Sequence, residues 1–265
     1  MKRAFLCIAF SFWGLALQAQ DRYFARTYTA NVLTKGGIDL ELWHTSRFGH
    51  GNEFFHAMDQ RMELEVGLGK KLQTAFYFNH FQVSSSDSAG NIIHKTETGF
   101  SNEWKCQINK PEKKTNVALY GELGVKGDEI EFESKLIFDR TFGKNLVAFN
   151  LVYEMEYELI RQNNKTKLEL AQTPIELDLA FMHFFKPQLG IGLETIDHND
   201  IVKGKISNSL LYAGPTFTFR ESKWFVIANF LPQLFNLHKT SFSPLKRDLE
   251  NHEKVEARIL LGVSL

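Results

Sequence analysis

Residues 58–68 read Met-Asp-Gln-Arg-Met-Glu-Leu-Glu-Val-Gly-Leu. Met58, Met62, Leu64, Val66 and Leu68 alternate with Asp59, Arg61, Glu63 and Glu65. Successive strand side chains point to opposite faces, so this stretch is a strand with one apolar and one charged face. No helix presents such a pattern, because its period is about 3.6 residues rather than two.

The same period extends in both directions. Upstream, Ile38, Leu40 and Leu42 flank Asp39 and Glu41. Downstream, alternating stretches begin near Leu72, Phe100, Val117, Ile130, Val147, Ile175, Leu189 and Leu211, and the chain ends on Val255, Ala257, Ile259, Leu261, Val263 and Leu265. Residues 224–235 (WFVIANFLPQLF) are apolar on both faces, which leaves their register open. The total predicts about twelve strands, an even number, and an all-β fold.

Composition narrows the class. The 265 residues carry 31 Lys+Arg and 31 Asp+Glu, a formal net charge of zero that argues against nucleic acid as a partner. Hydrophobic residues make up 43%, too many for a disordered chain. The 2 cysteines supply neither a disulfide framework nor a Cys-rich zinc site. Mean hydropathy is slightly negative, which excludes a bundle of membrane helices but not a transmembrane barrel, whose strands are only half apolar.

The N-terminus reads as a signal peptide over residues 1–19: basic Lys2 and Arg3, an apolar run from Ala4 to Leu17, and Ala19 at the expected cleavage point. Its removal would take Cys7 away and leave Cys106 as the one cysteine. Residues 20–36 form an N-terminal segment placed either at the periplasmic mouth or as a plug in the lumen. The barrel is expected over residues 37–265.

Connections between the alternating stretches differ in length. Gly-Lys-Lys at 69–71, Gly-Lys-Asn at 143–145 and 220–223 are short. Residues 47–57, 84–94, 161–173, 195–205 and 236–252 read as long loops, and Lys126-Gly127-Asp128 departs from the short–long alternation. Short turns on one side and long loops on the other are the pattern of a barrel with both termini at its periplasmic end.

At this point residues 37–265 resemble the Gram-negative outer-membrane β-barrels. The closing EARILLGVSL resembles their terminal strand signal, departing from it by ending on Leu265 rather than an aromatic residue. The resemblance implies a single antiparallel up-and-down barrel in the outer membrane, contact with outer-membrane lipid and lipopolysaccharide, and passage through the barrel-assembly machinery. A soluble periplasmic barrel or sandwich is the alternative.

With the apolar face toward lipid, the polar face lines the lumen. Its acids are Asp39, Glu41, Asp59, Glu63, Glu65, Glu103, Glu122, Glu131, Glu133, Asp139, Glu154, Glu156, Glu176, Asp178, Glu194 and Glu256, and its bases Arg61, Lys105, Lys135, Lys254 and Arg258. Arg26 and Arg47 are partners for some of the acids. Such a lumen favours a small cationic or neutral solute and a cation-selective narrow channel.

One motif points elsewhere. His44 and Ser46 share a strand face, so an imidazole can act as base toward a hydroxyl. The H-x-S spacing resembles that of outer-membrane phospholipase A and lipid A deacylase, which implies a lipid-modifying hydrolase facing the membrane. Arg47 stands where that family has Asn, and Glu253 or Asn251 is the candidate third member. A non-catalytic structural or adhesion barrel is a third reading. His50 and His56 gather with His44 around the first loop without a metal-binding spacing, and neither a metal nor a cofactor is expected.

Overall fold

The computed structural model describes residues 22–51, 53–87, 89–109, 115–162, 165–238, 247–249 and 252–265. The expected signal peptide and Asn251 lie outside the described residues. Thirteen strands are assigned: β1 (Ile38–His50), β2 (Glu53–Gly69), β3 (Leu72–Ser86), β4 (Ile92–Gln107), β5 (Thr115–Lys126), β6 (Glu129–Phe142), β7 (Asn145–Gln162), β8 (Lys165–Gln172), β9 (Ile175–Lys186), β10 (Leu189–Val202), β11 (Lys205–Arg220), β12 (Trp224–Asn236) and β13 (Val255–Ser264).

All pairings are antiparallel, and β1 pairs with β13 to close the ring. β8 and β9 occupy one lane. β8 pairs with the far half of β7 from Glu156 outward, β9 with its near half up to Tyr153. Pro174 lies between them and has no N–H to donate, which divides the assignment without opening the wall. The barrel therefore has twelve lanes.

Four of the five expected long loops, 47–57, 84–94, 161–173 and 195–205, are largely strand, whereas the described residues between β12 and β13 belong to no strand, as expected. The ladders run on through residues once assigned to loops: β1 reaches His50 and β2 starts at Glu53, while β10 and β11 meet at a turn over Lys203 and Gly204. Beyond the membrane both strand faces can be polar, so apolar alternation fades while backbone hydrogen bonding continues. Lys70 and Lys71, at φ 51° and 67°, both adopt the left-handed conformation. That conformation is unfavourable for an L side chain, but it gives a tight turn the twist an antiparallel hairpin needs.

The two faces are inverted relative to a soluble barrel. Leu42, Phe76, Leu179 and Leu193 point outward and are about half exposed (49%, 55%, 53% and 59%), whereas Glu63, Glu65, Glu103 and Glu194 point inward and are fully buried. Only a lipid surround makes the first set favourable. The fold is that of an outer-membrane β-barrel.

β12 has two apolar faces because its inner face packs a filled lumen. Phe225, Ile227 and Leu231 point inward and are buried. Phe225 fits because Gly262 opposite it has no side chain; a Cβ there would lie 1.9 Å from the Phe225 ring. Phe225 and Ile227 pack with Leu260 and with Ala25, Tyr28 and Ala30 of the N-terminal segment, whereas Leu231 packs with Ile196, Leu210 and Tyr212 of the wall.

A charge on the outer face should destabilise the barrel. Leu179→Arg is expected to lower unfolding free energy in lipid bilayers by about 2–4 kcal/mol, measured by urea titration; an unchanged midpoint would place that face out of the membrane.

Candidate functional site

Residues 22–33 lie inside the barrel, and 34–36 are exposed where the chain leaves it. The segment bends at 24–27 and 30, turns at 35–36 and belongs to no sheet, so its backbone donors need other partners. The wall supplies them from side chains. Glu194 of β10 accepts hydrogen bonds from the N–H groups of Ala25 (3.1 Å), Arg26 (2.8 Å) and Thr27 (3.0 Å). Asn150 of β7 accepts from the Tyr28 N–H at 2.7 Å and donates to its carbonyl at 3.0 Å. Asp139 of β6 accepts from the Ala30 N–H at 2.6 Å, and Gln73 of β3 from that of Leu33 at 2.8 Å. The Gly36 N–H donates to the Gly67 carbonyl on β2 at 2.8 Å. The segment thus circles the inner wall from β10 to β2 before entering β1.

Its side chains complete the seal. Phe24 packs with Leu146, Ala148, Ala180 and Met182. Arg22 is buried 3.4 Å from Glu41, with its guanidinium over the Tyr28 and Trp43 rings at 4.0 and 4.2 Å. Burial pulls the Arg22 pKa down, but Tyr28, Glu41, Glu63 and Glu65 more than reverse this and hold it well above its ordinary value. Arg26 donates to both Glu176 oxygens at 2.9 Å and lies 3.8 Å from Glu256. Gly67 leaves room for the chain to pass, since a Cβ there would lie 2.0 Å from the Thr34 carbonyl oxygen.

Above this floor a vestibule of about 270 Å³ opens, lined by residues including Arg47, Asp59, Arg61, Glu122, Glu131, Glu133, Lys135, Glu154 and Arg258. Its base is aromatic: Arg61 lies over Tyr77 at 4.5 Å, and Lys135 over Tyr28 and Tyr120 at 4.3 and 4.9 Å. An adjoining space of about 250 Å³ contains His198, hydrogen-bonded to Glu176 (3.1 Å) and Asp200 (3.0 Å).

The acids inferred from alternation divide between these two levels. Asp39, Glu41, Glu63, Glu65, Glu103, Asp139, Asp178 and Glu194 are buried, as is the base Lys105. Asp59, Arg61, Glu133, Lys135, Glu154, Glu156 and Arg258 are half-buried, and Glu131 is exposed. Glu122, Glu176 and Glu256 are nearly buried at 8%, 6% and 7% exposure. Lys254 is exposed in the connection before β13. Arg47 pairs with Asp59 at 2.6 Å.

The His44–Ser46 pair lies on the outer face. His44 Nε2 and Ser46 Oγ are 3.0 Å apart. An adjoining groove of about 460 Å³ is lined by residues including Leu42, His44, Gln60, Met62, Phe78, His80, Ile259 and Leu261. Glu253 is corrected as a third member: it faces the space holding Arg47, His198 and Tyr212, on the lumenal side. Strand pairing sets Ile259 of β13 on one side of His44 and Gln60 of β2 on the other, and the partner of Gln60 on β3 is His80. Sequence reading missed Gln60 because only the β1–β2 register brings it there.

A family model described as a family of unknown function (DUF6662) matches residues 16–265. The chain belongs to this family. No curated protein matches it. Among solved structures, the DUF6662 barrel is similar to the COG4313 outer membrane channel from Pseudomonas putida F1, at 11% identity and a TM-score of 0.62, over 89% of this chain and 98% of that one. It is also similar to the NanC porin, at 10% identity and 0.55, over 85% and 100%. A third is the KdgM porin in complex with disordered oligogalacturonate, at 8% identity and 0.52, over 86% and 99%. At these identities the likeness is one of fold.

Proposed function

We propose that this DUF6662 barrel is an outer-membrane channel for small polar solutes, closed on its periplasmic side by residues 22–36. The observation that carries the reading is how the segment is held. Residues 25–33 are held by side-chain hydrogen bonds and packing and take part in no β-ladder, so displacing them would break none of the strand pairing of the wall. The vestibule leads down to it from the opposite end. Channels among the structures of similar fold support the same class of function. With the segment displaced, the inward acids of β1, β2, β4 and β10 would line the passage and favour cations. The solute is therefore expected to be cationic or neutral overall.

Deletion of residues 22–33 is expected to raise single-channel conductance in planar bilayers at least severalfold and to give a reversal potential favouring potassium over chloride. Unchanged conductance, or anion preference, contradicts the reading.

The 3.0 Å His44–Ser46 contact beside an outward groove favours a second reading, an ester hydrolase acting on membrane lipid. Ser46 would attack the ester carbonyl, His44 would take its proton and pass it to the alcohol expelled as the ester C–O bond breaks, and water would then hydrolyse the acyl-Ser46 to free fatty acid. On this reading the protein releases fatty acid from outer-membrane vesicles, and Ser46→Ala reduces the rate by at least about a hundredfold. Absence of release by the unsubstituted protein removes the reading.

A further inference from the structure

The vestibule is polar in one particular direction. In a ring of twelve lanes, β7 is the sixth step from β1 either way round, so β13, β1 and β2 stand across the lumen from β6, β7 and the β8–β9 lane. Into the shared cavity the first wall sends Arg258, Arg47 and Arg61, and the second sends Glu131, Glu133 and Glu154.

Neither set is fully neutralised in place. Arg61 donates to neutral Asn79 at 2.9 Å, and Glu122 is 3.9 Å away. Arg258 donates to the Thr45 hydroxyl at 2.8 Å and the Ala25 carbonyl at 3.0 Å, with Glu256 at 3.8 Å. Arg47 is the one of the three in close contact with a carboxylate, Asp59. On the far wall, carboxylate oxygens of Glu131, Glu133 and Glu154 come within 4.8 Å of one another, while Lys135 lies 3.0 Å from Glu133. One wall therefore keeps a surplus of positive charge and the other a surplus of negative charge.

We propose that this vestibule binds a small zwitterionic solute with separated charges. Its ammonium end lies at Glu131, Glu133 and Glu154, and its carboxylate end at Arg47, Arg61 and Arg258. A dication of the same length places one charge against the guanidinium wall, and a dianion places one against the carboxylate wall. Either misplacement is penalised by like-charge repulsion. Guanidinium forks suit a carboxylate, and a crowded carboxylate cluster suits an ammonium group. This inference names the solute class for the proposed channel, but binding in the vestibule requires no passage beyond the plug.

Three probes of equal chain length separate the alternatives: aminohexanoate, hexanediamine and adipate. Titration calorimetry on the folded full chain in detergent micelles is expected to show aminohexanoate binding at least about tenfold more tightly than either other probe. Arg47→Gln with Arg61→Gln should erase its advantage over hexanediamine. Glu131→Gln with Glu154→Gln should erase its advantage over adipate. Heat-modifiable gel migration reports whether each variant is folded. Equal or tighter binding of hexanediamine or adipate by the unsubstituted protein overturns the proposal, as does absence of binding by all three. Flux through the barrel lacking residues 22–33 is read separately, so its failure with binding retained would overturn the channel and leave the binding site standing.

Discussion

A chain segment inside a closed barrel has no sheet edge to join. Every strand of the wall already spends its backbone groups on its neighbours, and unpaired buried N–H groups cost free energy. Residues 22–36 meet this constraint through side chains that reach inward from β10, β7, β6 and β3. A carboxylate accepting several backbone donors is a strong anchor, each charge-assisted bond contributing about 1.5–3 kcal/mol. Glu194 anchors three consecutive residues in this way. Glu194 and Asp139, which accept backbone N–H groups of the segment, and Glu41, which pairs with Arg22, therefore explain the buried segment and are explained by it: each would be costly alone.

The upper lumen follows a different rule. There the charges remain accessible, and their placement is set by lane order rather than by the segment. Alternation puts every second residue of β1 and β7 inward, and closure sets those strands opposite each other. Arg47 and Glu154 share a cavity although they are far apart in sequence. The aromatic floor of Tyr28, Trp43, Tyr77 and Tyr120 separates this accessible level from the sealed one and holds cations by ring contact. Neutral overall charge thus conceals two polarised levels: carboxylates capping backbone below, and facing walls of opposite sign above.

Much of the barrel was legible because period-two alternation is local. Met58 to Leu68 reveals its two faces without knowledge of any partner, and the final stretch from Val255 does the same. Legibility failed where tertiary partners decide. Within residues 224–235, Phe225 and Ile227 point inward because they pack with Ala25, Tyr28 and Ala30, and Leu231 because it packs with Ile196, Leu210 and Tyr212. Nothing periodic in DRYFARTYTANVLTKG announces that its N–H groups bond Glu194 at a separation of 169 residues or Asp139 at 109. The extents of β10 and β11 past the membrane were likewise hidden, since the backbone ladder holds there without apolar residues. On the outer face, His44 and Ser46 were visible as a motif, whereas Gln60 required the β1–β2 register.

Amide hydrogen exchange over residues 22–36 of the folded protein tests the lumenal seating of this segment most directly. The account predicts that Ala25, Arg26, Thr27, Tyr28, Ala30 and Leu33 are protected like strand amides. It also predicts that Glu194→Leu releases the first three while β1–β13 keep their protection. Exchange of these six amides at the rate of an open peptide in the unsubstituted protein would contradict it.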